Sequence, residues 1–209
     1  RYEDILERRD SMAQVIINEL DQLRSEFAIP RRTVIENAAE AVYVEKKAEE
    51  MEVVFLMDRF GYARTIDLTA YERNKEAADT ENKYVFPCKN TGRICLFTNT
   101  GQLHTLKVSD IPFGKFRDKG IPVDNISNFS GEKEAIIAAA SQTSLNLYRM
   151  IFVTKQAMMK IVDGGEFDVT KRTVAATKLS EEDEVISVEI LDDQKQVVLQ
   201  SAEGYFLKF

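Results

Sequence analysis

The chain has no tryptophan, one histidine, two cysteines and four prolines in its 209 residues. Each scarcity excludes something. Cys88 and Cys95 are too few for a disulfide scaffold, and with His104 as the lone imidazole they cannot complete a zinc ligand set. Both thiols are expected to serve as small hydrophobes on strands. No apolar run approaches the roughly 20 residues that a bilayer-spanning helix needs, and no charged-then-apolar leader opens the sequence, so a cytoplasmic protein with no membrane contact is expected. Gly-rich phosphate loops, a nucleophile elbow, a His-Glu helix motif and cysteine pairs of metal spacing are all missing. His104 has no evident partner for general-base work and is expected to pack. The acidic clusters Glu181–Glu184 and Asp192–Asp193 fall where hairpin turns are expected and are read as solvated turn residues. Neither a catalytic residue nor a metal site is expected in the segment.

What is present is 44% hydrophobic residues, enough for a sizeable core. The net charge of −7 argues against a polyanionic partner, because phosphate binding needs clustered Lys and Arg. Its distribution qualifies this: residues 1–50 carry 8 basic and 12 acidic groups, residues 51–150 carry 13 and 12, and residues 151–209 carry 7 and 11. The middle is near neutral and leaves room for a local basic surface. The chain opens without methionine and ends on Gly-Tyr-Phe-Leu-Lys-Phe, a strand in progress, so it is expected to be part of something longer.

From Tyr2 to Phe27 the apolar residues Tyr2, Ile5, Met12, Ile16, Leu20, Leu23 and Phe27 recur mostly at three-, four- and seven-residue steps, which predicts an amphipathic helix over residues 1–29 that stops before Pro30. Its stripe needs a partner, either the helix's own domain or a second arm of a coiled coil. Residues 30–51 read as a charged linker with a short strand around Val42–Val44, or else a second short helix.

From Glu52 the texture changes to short β-branched and alternating runs separated by Gly, Asn, Asp and Pro. Strands are predicted at Val53–Met57, Tyr62–Ile66, Ile94–Thr98, Leu103–Val108, Ile121–Ile126, Ala135–Ala140, Met150–Thr154, Met158–Val162, Val185–Ile190, Val197–Gln200 and Tyr205–Phe209. One unit recurs: a hydrophobic strand, a small polar turn, then a strand ending in a basic or polar residue. The turn positions Gly61, Gly101, Gln156 and Gly204 are 40, 55 and 48 residues apart. A second element also repeats, at Gly120-Ile-Pro-Val-Asp-Asn-Ile126 and at Thr173-Val-Ala-Ala-Thr-Lys-Leu179. Four-stranded repeats of this length are the mark of propeller blades. The fold expected over residues 52–209 is therefore all-β and propeller-like, three blades and the start of a fourth. Glycine suits the turns because they need positive φ, and Gln156 implies that one hairpin manages without it.

The chemistry that remains is basic. Arg64, Lys107, Lys160 and Lys208 fall in the second strand of successive hairpins, and a propeller would bring them round one rim. Gly114-Lys-Phe-Arg-Asp-Lys-Gly120 is the densest basic segment, with Lys115, Arg117 and Lys119 between two glycines. Arg73, Lys75 and Arg172 complete the candidate set. Such a rim would contact phosphates and position a nucleic acid without reading its bases. A propeller serving only as a protein-interaction platform is the alternative that the net charge favours.

These residues resemble the A subunit of bacterial type IIA topoisomerases, DNA gyrase and topoisomerase IV. Ile29-Pro-Arg-Arg-Thr-Val-Ile35 is similar to the end of the coiled-coil arm that leads into the C-terminal domain. Gly61-Tyr-Ala-Arg-Thr-Ile-Asp-Leu-Thr-Ala-Tyr71, Leu96-Phe-Thr-Asn-Thr-Gly101, Lys107-Val-Ser-Asp-Ile-Pro112 and Lys119-Gly-Ile-Pro-Val-Asp-Asn-Ile126 are similar to its blade motifs. The resemblance implies a β-pinwheel whose basic outer edge binds and bends duplex DNA, attached to the remainder of the A subunit, working with the ATPase B subunit. The catalytic tyrosine, ATP and magnesium would all act elsewhere in the parent, leaving no cofactor in this segment. After Tyr71, where gyrase carries Gln-Arg-Arg-Gly-Gly-Lys-Gly, this chain reads Glu72-Arg-Asn-Lys-Glu-Ala-Ala-Asp79. The resemblance ties that box to wrapping and negative supercoiling, so its absence points towards topoisomerase IV, with an unusual gyrase left open.

Overall fold

The computed structural model describes residues 2–29, 32–33, 49–191 and 196–208. Two compact units divide the chain, Arg1–Lys46 and Lys47–Phe209. The proposed short strand at Val42–Val44 and the acidic pair Asp192–Asp193 lie outside the described residues.

In the first unit the helix is broken. α1 covers Tyr2–Glu7 and α2 covers Arg9–Phe27, because Arg8 between them adopts an extended conformation (φ −114°, ψ 118°). Neither glycine nor proline marks this break. α2 ends at Phe27, where Ala28 turns extended. No residue of α2 is buried, and the stripe of Met12, Ile16, Leu20, Leu23 and Phe27 is exposed.

The second unit is built from β1 (Glu52–Asp58), β2 (Tyr62–Asp67), α3 (Leu68–Arg73), α4 (Lys75–Glu81), β3 (Asn82–Lys89), β4 (Arg93–Thr98), β5 (Gln102–Lys107) and β6 (Ile121–Pro122). It continues through β7 (Ile136–Ser141), α5 (Gln142–Leu145), β8 (Arg149–Thr154), β9 (Met159–Asp163), β10 (Thr173–Ala175), β11 (Val185–Leu191), β12 (Val198–Gln200) and β13 (Phe206–Lys208). The sheets run β3-β1-β2-β6, β7-β4-β5-β10, β11-β8-β9 and β12-β13, all antiparallel. These are the blades of a β-pinwheel, and most of the predicted strands are present within a residue or two.

The blades are not contiguous in sequence. β6, the fourth strand of blade 1, follows β5 of blade 2, and β10, the fourth strand of blade 2, follows β9 of blade 3. Each repeat therefore hands a strand back to its predecessor, which couples neighbouring blades through backbone hydrogen bonds. β6 is only Ile121–Pro122, where a strand to Ile126 is expected. Past Pro122 the chain coils into a 3₁₀ turn that drives Val123, fully buried, under the first hairpin, with its amide on the Gly61 carbonyl.

Four hairpins share one turn. Asp58, Thr98, Thr154 and Ser201 each accept, on the backbone carbonyl, the amide three residues later and, on the side-chain oxygen, the amide four residues later. Three-residue hairpin loops of this kind place their last residue in the left-handed region. Gly61, Gly101 and Gly204 hold that position at φ 83°, 75° and 85°. In blade 3 the equivalent is Ala157 at φ 60°, not Gln156. That hairpin does not dispense with positive φ; an alanine bears it.

Central strands are buried on both faces. Val53, Phe55 and Met57 of β1 pack against Ile94 and Leu96 of β4 and Leu106 of β5 between blades 1 and 2. Cys95, Phe97 and Leu103 pack against Met150, Phe152 and Val162 between blades 2 and 3, with Phe97, Phe152 and Phe167 in mutual ring contact. The opposite face of blade 1, Val54, Leu56 and Ile66, is covered by α3 and α4 through Ala70, Tyr71 and the fully buried Ala78. Asp67 caps α3 by accepting from the Thr69 amide at 2.7 Å. The stretch without the gyrase box thus forms a helical lid on blade 1. β3 escapes the pattern reading because it shows no clean alternation and carries Pro87, tolerable at a sheet edge.

Candidate nucleic-acid interface

The inner edges of the blades meet: Tyr84 of β3 donates to the Ile137 carbonyl of β7 at 2.9 Å, and β7 neighbours β11 in turn. β6 and β10 therefore lie on the outer edges, and the loops that lead into them carry the basic residues. Before β6 come Lys115, Arg117 and Lys119; before β10 come Lys171 and Arg172. All five are exposed.

Backbone contacts hold the start of the first loop against β2. The Thr65 amide donates to the Pro112 carbonyl and the Gly114 amide to the Thr65 carbonyl, each at 3.0 Å. Just after these anchors the Asp118 carboxylate accepts the Lys115 amide at 2.7 Å, closing a tight turn. Gly120 sits at φ 79° so close to β2 that a Cβ there would lie 2.4 Å from the Ala63 carbonyl oxygen. Lys119 extends over the Tyr62 ring at 4.6 Å. In blade 2 the Arg172 carbonyl accepts the Thr105 amide at 2.9 Å, and Arg93 donates to the Val169 carbonyl at 2.8 Å. Because Arg93 also pairs with Lys107 across β4 and β5, strand exchange gathers Arg93, Lys107, Lys171 and Arg172 at one end of the blade.

The recurrence read from the sequence needs correction. Counted from the left-handed residue of each turn, Arg64 and Lys160 are equivalent, but the equivalent of both in blade 2 is His104, whereas Lys107 and Lys208 lie at other positions. Arg64 is not a rim residue. It is only 7% exposed on β2, with its guanidinium 5.8 Å from the centre of the Phe116 ring. Lys160 is exposed on β9, and Lys208 on β13, away from the two basic loops in sequence and sheet. Arg73 and Lys75 are exposed on the helical lid, at the end of α3 and the start of α4. The aromatic partners Tyr62 and Phe116 have no signal in the sequence, since only the fold brings them under cations.

Other polar groups are structural. His104 is 3% exposed, with Nδ1 3.1 Å from Thr173 Oγ1 and its ring edge-on to Phe129. Its Nε2 lies 2.8 Å from Glu134, close enough for an ion pair but not aligned as a hydrogen bond. Burial pushes the Glu134 carboxyl up, but hydrogen bonds from Thr98 and Thr100 and the nearby His104 outweigh it, so the group titrates below an ordinary glutamate. Asp183 accepts the Gln156 and Glu184 amides; burial again opposes these bonds and loses to them, leaving the carboxyl low. It is a turn clasp, although the sequence pointed to a solvated residue. Burial raises the thiols, Cys88 to about 11 and Cys95 to about 12, which keeps them protonated and unreactive. Among the described residues, no group of three or more His, Cys, Asp or Glu could hold a metal ion, and no helix is long and apolar enough to cross a membrane.

The family described as DNA gyrase C-terminal domain, beta-propeller, matches residues 92–142 and 149–192, the segments that build most of blades 2 and 3. The DNA gyrase A subunit of Helicobacter pylori (strain J99) is 28% identical over 98% of this chain and 26% of its own length. That of Lawsonia intracellularis is 28% identical over 100% of this chain and 27% of its own. The chain is similar over its whole length to the A subunits of bacterial DNA gyrases. It spans about a quarter of the length of these gyrase subunits. The crystal structure of the C-terminal domain of DNA topoisomerase IV shares the pinwheel fold, with a TM-score of 0.67 at 22% identity over 78% of this chain and 52% of that one.

Proposed function

We propose that this segment is the DNA-binding and DNA-bending module of a type IIA topoisomerase A subunit, serving a cytoplasmic parent that couples ATP use in its B subunit to strand passage. The observation that carries the reading is the recurrence of exposed basic loops at the outer edges of adjacent blades: Lys115, Arg117 and Lys119 before β6, and Lys107, Lys171 and Arg172 about β10. Two such loops on rigidly coupled blades would hold successive stretches of phosphate backbone along a curved edge, and deformation of the duplex follows from contact with both. The net charge of −7 does not oppose this, because residues 51–150 carry 13 basic against 12 acidic groups and the excess of carboxylates lies on either side of them. Where gyrase has its box, the lid of α3 and α4 packs on blade 1, which supports bending without wrapping.

The test is duplex binding measured by fluorescence anisotropy across a salt series. The wild-type chain should bind with little sequence preference, and the logarithm of affinity should fall linearly with that of salt, by about 0.9 per phosphate contacted. Changing Lys115, Arg117 and Lys119 together to Ala should flatten that slope by about 2–3 without altering the fold. Affinity that ignores both salt and the triple change would reject DNA in favour of a protein partner for the same surface.

A further inference from the structure

Arg64 poses a physical problem that a rim role would not. Its side chain is more than nine-tenths buried, its Nε has no hydrogen-bond partner, and none of the ion pairs among the described residues involves its guanidinium. A buried cation without a partner is strongly disfavoured, and burying Arg is ordinarily repaid by a carboxylate or phosphate. The group faces an open crevice of about 510 Å³ between β2, α4 and the loop before β6, which Arg117 and Lys119 also line. Three carboxylates share the crevice, Asp58, Glu81 and Asp118. None lies within ion-pair distance of Arg64, and two are committed elsewhere: Asp58 accepts the Phe60 and Tyr62 amides, and Asp118 accepts that of Lys115.

We propose that this crevice is a site for a single phosphate-class oxyanion, with Arg64 as its buried anchor and Arg117 and Lys119 closing over it from the loop. Phe116 lies beside the guanidinium, its ring centre 5.8 Å from the Arg64 Cζ, and the planar fork suits a tetrahedral oxyanion better than the point charge of a lysine would. The site does not depend on the DNA-binding reading. That reading bears only on whether the phosphate belongs to duplex DNA or to a small free anion.

The decisive measurement is an amide NMR titration of the full chain with inorganic phosphate at constant ionic strength. Amides of residues 58–64 and 114–120 should move saturably while those of blade 3 stay still. In Arg64→Met the response should weaken by roughly tenfold or more, as expected for loss of a charged hydrogen-bonding partner. The same variant should melt at the same temperature or higher, because it removes the buried, unpartnered Nε and keeps the apolar stem. A purely structural arginine would instead lower it. Arg117→Gln with Lys119→Gln, both on the exposed loop, should weaken the titration several-fold and guards against misfolding of the Arg64 variant. Unsaturable shifts, or equal titrations in wild type and both variants, would overturn the site. Duplex DNA separates the sources. A salt slope lowered by about 0.9 in Arg64→Met assigns a backbone phosphate, whereas an unchanged slope with a lost phosphate response assigns a free anion. If the wild type binds no duplex at all, the DNA reading fails while the phosphate titration still decides the site.

Discussion

Replacing Ala157 by glycine should stabilise the pinwheel. Of the four equivalent hairpins, three place glycine at the left-handed position and one places Ala157, at φ 60°. A side chain in this region costs roughly 1–2 kcal/mol through the approach of Cβ to backbone oxygen. Glycine gives back about 0.4–1 kcal/mol by loosening the unfolded chain. The difference leaves Ala157→Gly more stable by about 0.5–1 kcal/mol, which in a unit of this size raises the melting temperature by roughly 1–4 °C. The reverse changes calibrate it. At Gly61 an added Cβ meets only Val123 Cγ2, at an ordinary 3.6 Å, so Gly61→Ala should cost the conformational term alone, about 0.5–1 kcal/mol. At Gly101 the Cβ would lie 2.8 Å from the Thr177 carbonyl oxygen and 3.3 Å from Leu179 Cδ1. Gly101→Ala should therefore cost about 1–3 kcal/mol more than Gly61→Ala, since the β10 segment must shift. Calorimetry and urea unfolding of the three variants would check the series. A lower melting temperature for Ala157→Gly, or equal costs at Gly61 and Gly101, would refute the shared-turn account.

Phe97→Ala should cost about 3–5 kcal/mol in urea unfolding, because Phe97 is 1% exposed and touches both Phe152 and Phe167 in the core between blades 2 and 3. The low carboxyl of Glu134 makes folding favour its ionised form, so its stabilising effect is complete above the ordinary glutamate range and fades as pH falls through the lowered value. Melting temperature should fall on acidification below about pH 4, and Glu134→Gln should be less stable at pH 7 yet lose less over the same acid range. Asp183→Asn should behave alike, for the same sign of shift, with the β8–β9 hairpin losing its clasp first in amide exchange.

Much of this protein is legible without coordinates because the determining physics is local. Alternating β-branched runs specify strands, and Asp58, Thr98, Thr154 and Ser201 each close a turn within five residues of chain. The basic character of Lys115, Arg117 and Lys119 is plain because the three are neighbours in sequence. Tertiary structure decided the rest, wherever the partner is far along the chain. Strand exchange sets Arg172 beside the end of β5 and so assembles a basic edge that no window of sequence contains. Asp67, Thr69 and Ala78 are ordinary helix-compatible residues until the bare face of Val54, Leu56 and Ile66 gives them something to cover. Arg64 shows the difference most sharply. Its place in a hairpin strand is set by local alternation, but whether such a strand position faces water or a packed interior depends on what the fold lays against it. Here that is α4 and the Phe116 loop, which turn a surface cation into a buried one whose Nε has no hydrogen-bond partner.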